Sequence, residues 1–266
     1  MNILKKSIAP ITDHAWKEIT QQADSLFNIY MTARKFSEIE GPTGLDQGGI
    51  PTGRLLVPGN QTNEGINYGV REVLPFIEIR KPFELNVWEL DNAERGAKDI
   101  NLDPLIKAAK EVAQFEDSAA YKGFKAGGIT GLEKSTTRKK VVLPIDSNEF
   151  LKSIGSQIIQ LQKDGVNGPY NLIINDNRWQ QILDLTEGYP VYKELKELIQ
   201  GEIIINHSSS DTYLVSARGD DFEFTFGQDI SIGYDSHTTE KVKLYFTESF
   251  TFRVLSPEAI TVFSNS

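Results

Sequence analysis

The stretch Asp103-Pro104-Leu105-Ile106-Lys107-Ala108-Ala109-Lys110-Glu111-Val112-Ala113-Gln114-Phe115-Glu116-Asp117-Ser118-Ala119-Ala120-Tyr121-Lys122-Gly123 is the clearest element of the chain. Leu105, Ala108, Ala109, Val112, Phe115 and Ala119 recur at three- and four-residue spacing, which places them on one face of a helix. Asp103 is a suitable N-cap, Pro104 suits the first helical position, and Gly123 is a natural stop. A helix of about 20 residues is a rod of roughly 30 Å, long enough to serve as the spine of a domain. The last fifty residues, by contrast, read as strands: Phe222–Phe226, Val242–Phe246, Ser249–Val254 and Ala259–Phe263. Strands gathered late beside one long helix make the chain α+β.

Before the spine lie three segments of different character. Trp16, Ile19, Ala23, Leu26 and Tyr30 predict an amphipathic helix, capped by Thr12 or Asp13. Its apolar stripe packs on its own domain, or forms one wall of a groove for a partner peptide. Residues 41–69 hold 8 Gly and 3 Pro in 29 positions, 11 of the 32 such residues in the chain. A long irregular stretch is uncommon inside a compact domain. It reads either as a surface insertion or as an extended two-stranded arm, marginal alone, that finds its partners on another subunit. Within it, Arg54–Val57 and Ile66–Tyr68 are strand-capable. From Val70 to Leu90 the pattern is extended again, and Pro75 and Pro82 confine it to an edge. After the spine, residues 136–221 alternate strand and helix as a compact α/β module, with Ser147 expected to cap its first helix.

Composition removes several functional classes. The 266 residues contain no cysteine, which excludes disulfide scaffolds, thiolate metal clusters and thiol nucleophiles. Acids outnumber bases 37 to 28, a net charge of −9, which argues against a nucleic-acid binder. No apolar run approaches the roughly 20 residues that cross a bilayer, and the first residues lack a signal-peptide core, so a cytoplasmic, non-membrane chain is expected.

Catalytic signatures are thin. There is no nucleophile elbow of the Gly-x-Ser-x-Gly type. Gly123-Phe124-Lys125-Ala126-Gly127-Gly128 starts like a phosphate loop, but Ile129 stands where Lys is needed. The three histidines, His14, His207 and His237, lie on separate segments without metal-ligand spacing. His207-Ser208-Ser209-Ser210-Asp211 contains the residue types of a hydrolytic triad, yet adjacent residues do not converge as a triad must, so a polar turn is expected. Glu116 and Asp117 are consecutive on the spine and are not expected to face each other. Glu89, Asp91, Glu94 and Arg95 read as a salt-bridged corner or subunit contact. No catalytic centre and no metal site emerge.

A family resemblance runs through the whole chain. It is carried by Leu4-Lys5-Lys6-Ser7-Ile8-Ala9-Pro10-Ile11-Thr12 with Trp16, by Ala33-Arg34-Lys35-Phe36 before Glu40-Gly41-Pro42, and by Leu85-Asn86-Val87-Trp88-Glu89-Leu90-Asp91-Asn92 with Glu94-Arg95-Gly96. Further matches are Phe115-Glu116-Asp117, Gly168-Pro169-Tyr170, Arg178-Trp179, Gly227-Gln228-Asp229-Ile230-Ser231-Ile232-Gly233-Tyr234 and Thr247-Glu248-Ser249-Phe250-Thr251-Phe252. The chain resembles the encapsulin (linocin-like) shell proteins of family 1. The resemblance implies a tailed-bacteriophage major capsid (Hong Kong 97-type) fold. It divides the chain into an N-terminal arm and helix (1–40), an extended loop (41–69), a peripheral domain (70–135 plus 222–266) and an axial domain (136–221). It also implies self-assembly into an icosahedral nanocompartment of sixty subunits or a multiple, enclosing a cargo enzyme such as a ferritin-like iron-storage protein or a dye-decolourising peroxidase.

The resemblance assigns sites as well. The cargo's C-terminal peptide is expected to dock on Phe27, Tyr30, Arg34, Phe36 and Glu38 with Asp229, Ile230 and Ile232, Glu38 standing where the family usually has Asp. Apolar side chains supply buried area there, and Arg34 and Glu38 fix the peptide's polarity. Replacing Arg34 by Ala is expected to weaken loading and leave assembly intact. Phe27 and Ile230 read equally well as plain core. Glu187, Gly188 and Tyr189 fall where the family builds its five-fold pore, and a ring of Glu187 carboxylates would favour cations. No cofactor is required, although some family members stack a flavin on the tryptophan matching Trp88 beside an arginine matching Arg80; a buried structural tryptophan is the plainer reading. The alternatives to a shell protein are a linocin-type bacteriocin or serine hydrolase acting through Ser208, Ser209 or Ser210, and the major capsid protein of a virus.

Overall fold

The computed structural model describes residues 3–59, 65–185 and 189–265. Helix α1 (Asp13–Tyr30) forms as the periodicity predicts, and Thr12 rather than Asp13 caps it, its hydroxyl accepting from Ala15 N. Its buried stripe of Ala15, Ile19, Ala23, Leu26 and Phe27 faces the spine. The chain then makes one tight turn (Ala33–Lys35) and strand β1 (Glu38–Glu40).

Strands β2 (Gly49–Leu56) and β3 (Val70–Pro75) pair antiparallel as a separate two-stranded sheet, with Gly49 opposite Pro75 and Leu56 opposite Val70. The arm is therefore longer than residues 41–69. Its second strand is Val70–Pro75, not Ile66–Tyr68: Val70 pairs with Leu56 and Leu74 with Ile50. Gly41 opens it at φ +105°, where a Cβ would lie 2.4 Å from the Phe226 carbonyl oxygen, so only glycine lets the backbone pass.

Strand β4 (Ile77–Asn86) runs into helix α2 (Val87–Glu94), which is capped by Asn86, whose side chain accepts from Trp88 N. Spine helix α3 (Asp103–Lys122) follows. It begins one residue earlier than expected: Asp103 lies inside the first turn, its N–H satisfied by Asn101 Oδ1, and its charge still suits the positive end of the helix dipole. Gly123 ends the helix as predicted, with φ +86°. The corner that follows carries the short helix α4 (Leu132–Ser135).

Strand β5 (Val141–Leu143) leads to helix α5 (Ser147–Lys163). Asp146, not Ser147, caps α5, accepting from the backbone of Asn148 and Glu149. Strand β6 (Tyr170–Asn175), helices α6 (Asp176–Leu185) and α7 (Tyr189–Ile199), and strands β7 (Gln200–Asn206) and β8 (Thr212–Ser216) complete the expected α/β alternation.

The terminal region is simpler than its sequence pattern. Val242–Phe246 and Ser249–Val254 merge into one strand, β10 (Lys241–Val254), paired antiparallel with β9 (Phe222–His237). Register shifts near Gln228 and Ser249 absorb the interruption that made two strands seem necessary. Strand β11 (Ile260–Asn265) ends the described chain.

The four-stranded sheet has the order β1-β9-β10-β4, with β4 at the edge, the place that its one proline, Pro82, suits. The five-stranded sheet has the order β5-β11-β8-β6-β7. Residues 260–265 thus depart from the 222–266 grouping. They pair parallel with β5 and antiparallel with β8, closing the other sheet. One core joins α1, α2 and the first half of α3 to the four-stranded sheet, with Phe27 edge-on to Phe246 at 5.2 Å. The second joins the end of α3 to the five-stranded sheet and to Phe224, Phe226, Phe250 and Phe252.

Candidate functional site

Where α1 ends, the chain turns across the middle of α3, and the β9–β10 hairpin closes on the same place. The turn delivers Arg34, α3 delivers Glu116, β9 delivers Asp229 and β10 delivers Glu248. Glu116 accepts from Arg34 Nε at 2.9 Å and from Nη2 at 2.6 Å. Asp229 Oδ1 accepts from Nη1 at 2.9 Å, and Glu248 Oε1 accepts from Nη2. The Phe226 ring lies 4.4 Å from the guanidinium carbon, a favourable stacking contact for a planar cation.

Glu116 and Glu248 are fully buried, whereas the Asp229 side chain is 52% exposed. Burial opposes the Arg34 charge, but the hydrogen bonds and charge of Glu116, with Glu248 and Asp229, outweigh it and hold the guanidinium protonated. Burial pushes the Glu248 carboxyl well above the usual carboxylate range, and the nearby Glu116 charge raises it further.

One residue along, Asp117 anchors the same turn. It accepts from Thr32 Oγ1 at 2.6 Å and from Ala33 N at 2.9 Å. Thr32 also bonds the hydroxyl of Tyr121, whose ring stacks on Tyr213 at 4.9 Å. Burial pushes Asp117 up to about 7, against the opposing hydrogen bonds.

The structure brings together six of the eight residues expected at the groove. Phe27 and Ile232 are buried beside Phe246, while Tyr30 and Ile230 pack on the same core from the surface. Arg34 and Asp229 form an ion pair. Phe36 faces the other core, 5.5 Å from Phe222 and 5.9 Å from Tyr121. Glu38 is exposed on β1, in register with Glu223. The sequence reading weighed Glu116 and Asp117 only as a pair and assigned neither them nor Glu248 to the groove. A signal was there: Glu116 stands four residues after Val112 in the apolar stripe, and Glu248 shares a strand face with Phe246 and Phe250.

Other expected sites lie elsewhere. Glu187 and Gly188 are outside the described residues, and Tyr189 opens α7. Trp88 is not a buried structural residue: it is 66% exposed, because it sits in the first turn of α2 on the face turned from the core. The Arg80 guanidinium lies 4.3 Å from the centre of the Tyr245 ring, and the Arg95 guanidinium lies 5.9 Å from the centre of the Trp88 ring. His207–Asp211 is a polar turn, in which Asn206 Oδ1 accepts from Ser208 N and Ser209 N, and Ser209 bonds the Tyr213 hydroxyl. Glu94 meets Thr12, and Asp91 meets Arg95 at 3.6 Å, so the acidic corner ties α2 to the start of α1. Among the described residues no group of three or more His, Asp or Glu could hold a metal ion, and no helix is long and apolar enough to cross a membrane.

Residues 1–251 match the family model described as encapsulating protein for peroxidase. The chain is 39% identical to the type 1 encapsulin shell protein of Rhodococcus erythropolis over 261 residues, covering 98% of each chain. The chain belongs to the encapsulin shell-protein family. Among solved structures it is similar to a virus-like particle from Pyrococcus furiosus, with TM-score 0.67 and 18% identity, covering 94% of this chain and 99% of that one. It is also similar to the capsid of Myoviridae phage XM1, with TM-score 0.56 and 12% identity, covering 89% and 92%. At such identities the likeness shows the fold alone, and that fold is the phage-capsid fold expected from the resemblance. Other encapsulin relatives carry a second module: a ferritin-like–encapsulin shell fusion protein of Pyrococcus furiosus is 23% identical over 75% of this chain and 55% of its own.

Proposed function

We propose that this chain is a structural subunit that closes with copies of itself, sixty or a multiple, into a cytoplasmic compartment around a cargo enzyme. The observation that carries this reading is the β2–β3 arm. It forms a sheet of its own, and Leu55, Leu56, Val57, Val70 and Val73 are each more than half exposed on or beside it. A two-stranded hairpin is marginal alone, and bare edges and apolar side chains invite pairing. A neighbouring subunit supplies both needs, and repeated heterologous contacts that close give a shell. Light scattering and electron microscopy of the purified protein test this: uniform closed particles are expected, and a monomer or small oligomer overturns it.

The cargo is a ferritin-like protein or a peroxidase whose C-terminal peptide docks beside Tyr30, Arg34, Asp229 and Ile230, over the buried Phe27 and Ile232. The ferritin-like fusion relative and the family description support cargo of this kind. The shell itself needs no cofactor. A fluorescent reporter carrying the tail of an enzyme encoded beside this gene, co-produced with the shell, is expected to be enclosed; a tailless reporter is not. Equal amounts of both inside the particle defeat the docking reading.

A further inference from the structure

The Arg34 cluster has an imbalance of charge. Two carboxyl groups, Glu116 and Glu248, are fully buried against a single guanidinium. Glu116 takes that cation through two nitrogens, as a bidentate ion pair. Glu248 reaches only Nη2, and its other oxygen, Oε2, is buried without a hydrogen-bond partner.

Among the described residues, no cation other than Arg34 pairs with either carboxyl. From β4, Ile79 lies opposite Glu248, and the guanidinium of neighbouring Arg80 is on Tyr245. From β9 come Asp229, another carboxylate, and the ring of Phe226. On α3, Asp117 turns to Thr32 and Ala33, and Lys81 of β4 is paired with Glu111. A buried, uncompensated carboxylate is too costly to persist when a proton can neutralise it.

We propose that Glu116 and Glu248 share a single proton at neutral pH, held chiefly on Glu248. The buried part of the cluster is then electroneutral, and Asp229 is its one outward-facing charge. In this state the pair are positioning residues. They fix the plane of Arg34, which fixes Asp229 and the turn leading out of α1. This role rests on the docking site proposed above; the shared proton does not. Losing the proton at alkaline pH places a second negative charge against Glu116 and drives the hairpin and α3 apart.

The test uses assembled shells of the wild type, Glu248→Gln and Arg34→Ala. Gln keeps the shape of a protonated Glu and carries no charge. Infrared spectra in mildly alkaline D2O, above the titration of Asp117 and below the onset of the wild type's alkaline fall, are expected to show a protonated-carboxyl band in the wild type that is lost in Glu248→Gln. Glu248→Gln is also expected to melt at the wild-type temperature near neutral pH and to resist the alkaline fall that the wild type shows. A wild type without the band, or a variant as unstable as Arg34→Ala, overturns the shared proton. For positioning, loading of the tailed reporter is expected to fall at alkaline pH in the wild type and hold in Glu248→Gln; parallel pH profiles overturn that role. A wild-type shell that loads no reporter at any pH defeats the docking reading and the positioning role together, while the infrared band still decides the proton.

Discussion

Arg34 and Glu116 are 82 residues apart in sequence and joined through two guanidinium nitrogens, Nε at 2.9 Å and Nη2 at 2.6 Å. The pair ties the exit of α1 to the centre of the spine, inside the protein. Arg34 is therefore a structural counter-ion before it is anything else: Glu116, Glu248 and Asp229 already take its guanidinium, and Asp229 is the accessible end of the cluster.

Replacing Arg34 by Ala strips two buried carboxyl groups of the cation they share. Removing one partner of a buried ion pair costs about 3–5 kcal/mol. The variant is expected to melt far below the wild type and to give few soluble particles, in contrast to the intact assembly that the sequence alone suggested. Arg34→Lys rescues the charge but not the bidentate geometry, so it should fall between the two. Thermal melting and particle yield measure both.

Asp117 makes stability depend on pH. Its native value of about 7 lies above the ordinary 3.8. Between those pH values the folded chain therefore holds a proton that the unfolded chain has released, and stability falls as pH rises through this window. The contribution of Asp117 itself is constant below and above that window. A shift of that size corresponds to about 4 kcal/mol. Asp117→Asn removes the titration, and its melting temperature is expected to vary much less from pH 4 to 7 than that of the wild type.

Leu55 and Leu56 are exposed in the single chain, so charging them should leave the subunit folded. The double substitution Leu55→Asp, Leu56→Asp is expected to abolish closed particles and leave soluble subunits with an unchanged far-ultraviolet circular dichroism spectrum. Light scattering distinguishes this from unfolding; full-sized particles from the double variant would show that the arm is dispensable.

Tyr30 and Ile230 are the surface-reaching apolar residues of the docking site. Tyr30→Ala with Ile230→Ala is expected to lower reporter loading at least tenfold, which about 1.4 kcal/mol of lost contact suffices to do. Particle size and melting should change little. Reporter counted per particle gives the answer.

Much of the fold was legible because its signals are local. The spacing of Leu105, Ala108 and Val112 makes α3, and Thr12 starts α1. Gly123 ends the spine, and Pro82 of β4 marks an edge. The site was legible only in part. Arg34, Glu116, Asp229, Ile230 and Glu248 all lie in family motifs, but nothing along the chain pairs the two buried carboxyl groups with Arg34, because their partner is 82 and 214 residues away.

By itself, the sequence determined the helices, the strand-rich end, the glycine-rich arm and the family, since these depend on periodicity, turn residues and motifs read along the chain. Tertiary structure alone decided that Ile260–Asn265 completes the five-stranded sheet and that Trp88 faces solvent. It also decided that Glu116 and Glu248 share one guanidinium. Strand partnership, exposure and charge pairing are properties of surfaces brought together from distant segments. Their energies depend on which groups are removed from water together, and no local pattern records that.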